Sequence, residues 1–255
     1  MTSTAPSDAL RDVYERRGDE EYPDPVVPDP TVDRKFAVLV DEIGRLLPVD
    51  SLLDVACGDG RFLAALPTLG RVPERVVGVD IAESILDTAR RATSRAGLAP
   101  ELVRANLERL PLDDSEFDLV VSIQTIEHLL DPAAGLRELA RVLRPGGTLL
   151  LSTDNRRNVI TRTLNGPRWL VASLLGKRNY RVKHRFPHRS FSRRELDALM
   201  ADSGLVVERM RTFRFSVVGA SPVLKRFFNR IDARLPDLGV GDLVVVVARR
   251  PLALA

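Results

Sequence analysis

Apolar residues recur at three- and four-residue intervals from Val32 to Leu47, at Phe36, Leu39, Val40, Ile43, Leu46 and Leu47, and this spacing predicts an amphipathic helix packed on a sheet. A strand-then-helix rhythm follows. Strands are expected at 51–56, 75–79, 101–104, 117–122 and 148–152, with helices from about 61, over 83–96 and over 132–143. Alternation of this kind favours a parallel sheet covered by helices on both faces. The last third reads differently: a helix over 193–203 stopped by Gly204, then strands at 205–211 and 242–249 that lack crossover geometry and suit an antiparallel sheet edge. Residues 1–31 carry Pro6, Pro23, Pro25, Pro28 and Pro30 without apolar periodicity and are expected as an extended arm ahead of a domain spanning 32–255.

Composition narrows the class. With 255 residues, 44% hydrophobic and 29% charged, the chain has material for a well-filled core, which excludes a disordered or fibrous protein. The apolar runs Trp169–Leu175 and Leu243–Ala248 are far shorter than the roughly 20 residues of a membrane span, and the polar N-terminus has no signal-peptide core. A cytoplasmic protein is expected. The single Cys57 can form no internal disulfide and cannot alone build a structural zinc site.

The net charge of +3 is unevenly spread. Ten Arg and two Lys stand against one acid from Asp154 to Arg194, so this segment carries +11 and the remainder −8. Such a block suits nucleic acid, an anionic membrane surface or an acidic small molecule, and equally a solvated surface insertion.

The most informative stretch is Leu52 to Phe62, where an apolar strand ends in a turn holding Gly58 and Gly60 and enters a helix. Glycine permits positive φ and close approach of a ligand to the main chain, and the helix start presents unpaired amides. An ordinary tight turn would look the same. Asp80, however, ends the second strand 20 residues after Gly60, the spacing at which a carboxylate meets ribose hydroxyls; capping of the next helix is its structural alternative. A dinucleotide site would place a third glycine where Leu63 stands, and Asp54 and Asp59 add negative charge. A cationic, phosphate-free nucleoside fits this better than a pyrophosphate.

These residues resemble the class I S-adenosylmethionine-dependent methyltransferases, in particular the small-molecule branch with the ubiquinone and menaquinone biosynthesis methyltransferases. The resemblance covers Val32 to Ser152 strongly and Phe191 to Arg249 weakly. It implies an α/β, Rossmann-like seven-stranded sheet, mostly parallel with an antiparallel edge strand, and S-adenosyl-L-methionine as cofactor. By the same resemblance, Asp54, Ala56, Gly58 and Gly60 form the donor turn, with Ala56 replacing the family's first glycine and expected at negative φ. Asp80 and Ile81 match the ribose segment, Asn106 and Leu107 the adenine segment, and Ser122 the end of the fourth strand.

Donor chemistry asks mainly for alignment and, where needed, a base. His128, in the loop beyond the fourth strand, and His188, before the helix that Ser192 and Glu195 begin as a capping box, are the candidate catalytic bases; His184 is the weaker alternative. Some relatives bind a divalent metal through a Glu, Glu, His set, but Gln124 occupies the first of those positions, so no metal is expected. Within 154–192 the apolar residues Val159, Ile160 and Leu164, then Leu170, Val171, Leu174 and Leu175, predict two short basic amphipathic helices flanking Gly166–Pro167, serving as a lid, a membrane-surface element or both. The expected partner is a small-molecule or lipid-like, anionic acceptor, with RNA methylation second. A non-catalytic donor-binding protein and a dinucleotide-dependent oxidoreductase are the readings from other classes. The sequence carries no signal for oligomeric state.

Overall fold

A computed structural model of the chain describes residues 11–16, 27–29, 33–158, 188–213, 237 and 239–252. The amphipathic helices expected within 154–192, His184, and most of the N-terminal arm lie outside the described residues.

Helix α1 (Arg34–Leu46) precedes β1 (Ser51–Val55), α2 (Arg61–Ala65), β2 (Arg75–Asp80), α3 (Glu83–Arg95) and β3 (Glu101–Arg104). After these come β4 (Phe117–Ile123), a short 3-10 turn (Ile126–His128), α4 (Pro132–Val142), β5 (Leu143–Asp154), α5 (Arg193–Asp202), β6 (Val206–Phe213) and β7 (Leu243–Arg249). The seven strands lie in the order β3-β2-β1-β4-β5-β7-β6. β1 pairs in parallel with β2 and β4, whereas β7 is antiparallel to β5 and β6. The Rossmann-like sheet with an antiparallel edge is therefore the observed architecture.

Strand alternation explains why both faces are covered. Leu53, Val55, Val120, Leu149 and Val246 point to one face, where Leu136 and Leu139 of α4 and Leu196 and Met200 of α5 bury them. Leu52, Leu119, Val121, Leu150 and Val245 point to the other, against Leu39 and Ile43 of α1 and Leu86 and Ala89 of α3. An alternating, one-sided strand pattern could not serve this sheet, which is why the central strands read as continuous apolar runs. Buried Glu42 of α1 pairs with Arg45 and with Arg209 of β6, tying the first helix to the sheet edge.

Two local expectations are corrected. Strand β5 begins at Leu143 rather than Thr148, because Phe117 already pairs with Leu143; a register shift separates this pair from Leu119 and Thr148, and the Gly146 amide and Gly147 carbonyl bond to Arg250 instead. Residues 11–16 are helical rather than extended; the prolines that suggested an extended arm lie outside this stretch.

Candidate active site

The chain runs outward from β1 to β2 and β3, then crosses back to β4 on the other side of β1. Ligands of open α/β sheets bind at such a switch point, beyond the carboxyl ends of the strands. A cavity of about 360 Å³ lies there, lined by Asp54, Ala56, Gly58, Asp80, Ile81, Asn106 and Leu107 of the expected donor set, and by His128.

The turn after β1 is held against β2 by the Cys57 amide, which donates to the Val79 carbonyl at 2.9 Å. Ala56 has φ of +55°, so the expectation of negative φ is corrected: alanine stands in the left-handed region that glycine would occupy without strain. Ala56→Gly should therefore raise stability by about 0.5–1 kcal/mol, the difference between roughly 1–2 kcal/mol of relieved strain and the added unfolded-state freedom. Chemical denaturation would detect it, and a loss of stability would contradict it.

Gly58 also has positive φ, and a Cβ there would meet nothing within 4 Å; its main chain borders open space at the cavity. Gly60 differs. It is not among the cavity-lining residues, and a Cβ there would sit 2.9 Å from the Cα and Cβ of Ala89. Close packing of α2 against α3 therefore requires glycine at this position. Ser122 is likewise not at the cavity. It is fully buried in β4 on the face it shares with Val120, and Ile123, Gln124 and Thr125 reach the site instead.

Three carboxylates stand around the turn. Asp54 is 2% exposed, and its Oδ2 has no hydrogen-bond partner among the described residues. Burial, then repulsion from Asp80 and Asp59, pushes its pKa up to about 8. Asp80 Oδ2 accepts from the Gly58 amide at 3.0 Å and Oδ1 from the Ala82 amide at 3.2 Å. Burial raises the Asp80 pKa to about 6 against the opposing effect of these amides. Asp59 is neutralised by the Arg61 guanidinium, which donates to both its oxygens at 2.8 and 2.6 Å. Asn106 accepts from the Glu108 amide at 3.0 Å, so it shapes its own turn as well as lining the cavity.

The far wall is built from the end of β4, the turn that follows it and the N-terminal elements. His128 ends the 3-10 turn, and its amide donates to the Thr125 carbonyl at 2.9 Å. Its ring centroid lies 5.1 Å from that of His188, whose Nε2 is 3.3 Å from Asp154 Oδ2. His188 itself does not line the cavity, so of the two candidate bases only His128 faces it.

The loop from Gln124 to His128, expected on the acceptor side, does line the cavity through Gln124, Thr125 and His128, whereas Lys35 and Tyr14, which also line it, were not singled out from the sequence. Gln124 has φ of +53°, and its strain is held in place from several sides. Lys35 donates to Gln124 Oε1 at 2.8 Å, and Gln124 Nε2 donates to Glu127 Oε1 at 2.7 Å and to Asp154 Oδ1 at 3.1 Å. Glu127 is buried, which raises its pKa to about 8, and its Oε2 accepts from Thr153 Oγ1 at 2.8 Å.

A Rossmann-like sheet here places a glycine turn and a ribose-spaced aspartate at its switch-point cavity. Residues 53–151 match the methyltransferase domain family. Among curated proteins, the chain is 36% identical over 123 residues to a Mycobacterium tuberculosis protein named "probable S-adenosylmethionine-dependent methyltransferase", covering 48% of this chain and 42% of that one. It is 34% identical over 105 residues to a Coxiella burnetii ubiquinone biosynthesis O-methyltransferase, covering 41% and 44% of the two chains. The chain thus spans less than half the length of these relatives. Solved structures share the fold over nearly the whole chain. A Streptomyces coelicolor geranyl diphosphate C-methyltransferase, solved with Mg2+, geranyl diphosphate and S-adenosyl-L-homocysteine, superposes with a TM-score of 0.59 at 17% identity, covering 98% and 99% of the two chains. A Methanosarcina mazei SAM-dependent methyltransferase gives 0.60 at 23% identity, covering 83% and 98%. Over the matched segment the chain is thus similar to S-adenosylmethionine-dependent methyltransferases.

Proposed function

We propose that this chain transfers a methyl group from S-adenosyl-L-methionine to a small-molecule or lipid-like, anionic acceptor. The observation that carries the donor reading is Asp54: a buried carboxyl with an unpartnered oxygen at the wall of a cavity that also exposes Asp80. Desolvated acids of this kind favour a cationic ligand, whose charge would let Asp54 ionise. Gly58, with open space where a side chain would begin, leaves the main chain accessible beside them. The bound donor supplies a methyl group already activated on a sulfonium. Asp80 then holds the ribose diol, Asn106 and Leu107 border the base, and Asp54 faces the methionine end.

On the acceptor side, His128 would take any proton that the nucleophile gives up as it receives the donor's methyl group. His188 and Asp154 orient that ring from behind. The basic segment 154–194 supports an anionic acceptor, because its excess of +11 adjoins the end of β5 in the chain. Among the described residues no helix is long and apolar enough to cross a membrane.

Calorimetric titration with S-adenosyl-L-methionine and S-adenosyl-L-homocysteine tests the donor, and incubation of the protein and labelled donor with a cell extract tests the transfer. Micromolar binding with a methylated metabolite or lipid is expected; binding of NAD instead would reject the reading, and label appearing in RNA would reject the acceptor class. His128→Ala should lower kcat by about 10²-fold or more, the usual contribution of a positioned base, with donor Kd nearly unchanged. His188→Ala should cost less, since it acts through His128. An equal or greater loss at His188 in the same kinetic assay would move the base to that residue.

A further inference from the structure

Helix α3 starts without a side-chain cap. Its N-cap residue is Ala82, which offers no acceptor to the first amides of the helix. Those amides are satisfied from far away in the chain: Glu83 donates to Glu15 Oε1 at 2.8 Å and Ser84 to Glu15 Oε2 at 3.1 Å. Ser84 Oγ in turn donates to the Glu15 carbonyl at 2.9 Å, so backbone and side chain of Glu15 are both engaged. The carboxylate also sits where the helix dipole favours negative charge.

The neighbour of Glu15 is Tyr14, which lines the cavity and meets the His128 ring edge-on at 6.5 Å between centroids. The anchoring amides follow Asp80 by three and four residues, at the edge where the ribose is placed. A helical stretch as short as 11–16 is not stable by itself in water, so its seat depends on such tertiary contacts.

We infer that Glu15 is a positioning residue for methyl transfer: its carboxylate latches residues 11–16 onto the start of α3 and thereby seats Tyr14 as the outer wall of the donor cavity. The inference rests on the donor reading proposed above and extends it to an element that the family match over 53–151 does not include. With the latch made, the donor is enclosed between Asp80 on one side and Tyr14 and His128 on the other. Opening the latch exposes it. The latch therefore controls release of the spent donor more than the chemistry that precedes it, and its loss should appear chiefly in a dissociation rate.

The experiment uses the full chain with S-adenosyl-L-homocysteine as probe. Stopped-flow dissociation should be about tenfold or more faster from Glu15→Ala than from wild type, the scale expected for losing a charge-assisted hydrogen bond, with Glu15→Gln intermediate because it keeps one acceptor oxygen. Tyr14→Ala should reproduce the faster release while leaving hydrogen exchange at the Glu83 and Ser84 amides protected, whereas Glu15→Ala should deprotect both amides. Thermal melting identifies any variant that is simply unfolded. Dissociation within twofold of wild type for both Glu15→Ala and Tyr14→Ala would overturn the inference. Failure of the wild-type protein to bind the probe would instead overturn the donor reading, and exchange at Glu83 and Ser84 in ligand-free protein would still report whether Glu15 caps α3.

Discussion

Asp80→Ala should weaken S-adenosyl-L-methionine binding by roughly 10- to 100-fold, the scale of one or two lost hydrogen bonds to a charged group, without unfolding the protein. Each Asp80 oxygen already accepts one backbone amide, from Gly58 or Ala82, and each retains a lone pair for one hydroxyl of a vicinal diol. The amides fix the carboxylate before the ligand arrives, so little ordering is needed on binding. Stability should change little, for two opposing reasons. Removing the acceptor orphans two amides, yet it also removes a buried charge that is costly to ionise. The sign follows from the raised pKa: with a folded value near 6 against an ordinary aspartate value, Asp80 contributes no penalty at low pH, an increasing one as pH rises towards 6, and a full one above it. Asp80→Asn should accordingly flatten the loss of stability between about pH 4 and 6 while still weakening the donor. Calorimetry at pH 7.5 and melting across that range measure both. A donor Kd within twofold of wild type would remove Asp80 from the ribose site.

The same accounting supports the proposal that Asp54 serves the ligand rather than the fold. At pH 7 the Asp54 carboxyl is held mostly protonated by burial and by Asp80 and Asp59. Nothing among the described residues satisfies its Oδ2, so the fold alone gains nothing from an acid there. A ligand ammonium within reach would reverse the balance.

What was legible in the chain follows the range of the interactions. The strand and helix alternation is local, and it gave the covered parallel sheet; the glycine turn with Asp80 spaced 20 residues after Gly60, also local, located the cavity at the switch point. Tyr14 and Lys35 were not legible because their places are set by contacts across the molecule, and neither was the conformation of Gln124: Lys35 reaches Gln124 over 89 residues of sequence, and Glu15 reaches Glu83 over 68. No periodicity records such a pairing. Gln124 is harder still, since a non-glycine residue at positive φ is held by its partners rather than announced by its type. Ser122 was assigned by motif position, and the parity of β4 turned it into the core. Gly60 was attributed to the ligand for a property, lack of a side chain, that packing uses here.

That last distinction yields a large and separable effect. Gly60→Ala should destabilise the protein by about 2–5 kcal/mol, combining roughly 1–2 kcal/mol for a left-handed alanine with about 1–3 for overpacking. Gly60 has φ of +74° as the N-cap of α2, and the added methyl would stand 2.9 Å from the Cα and 3.2 Å from the carbonyl oxygen of Ala89. Backbone atoms of a helix cannot swing aside as a flexible side chain can, so α2 and α3 would have to part. At about 2–4 °C per kcal/mol for a domain of this size, the melting temperature should fall by roughly 5–20 °C. Gly58→Ala supplies the contrast. It carries a similar φ of +57° but meets nothing within 4 Å, so it should cost only the strain of about 1–2 kcal/mol, while intruding on the donor cavity and weakening donor binding. Equal melting temperatures for the two variants would show that contact with Ala89 is not what requires glycine at residue 60, and the close approach of α2 to α3 would then need another explanation.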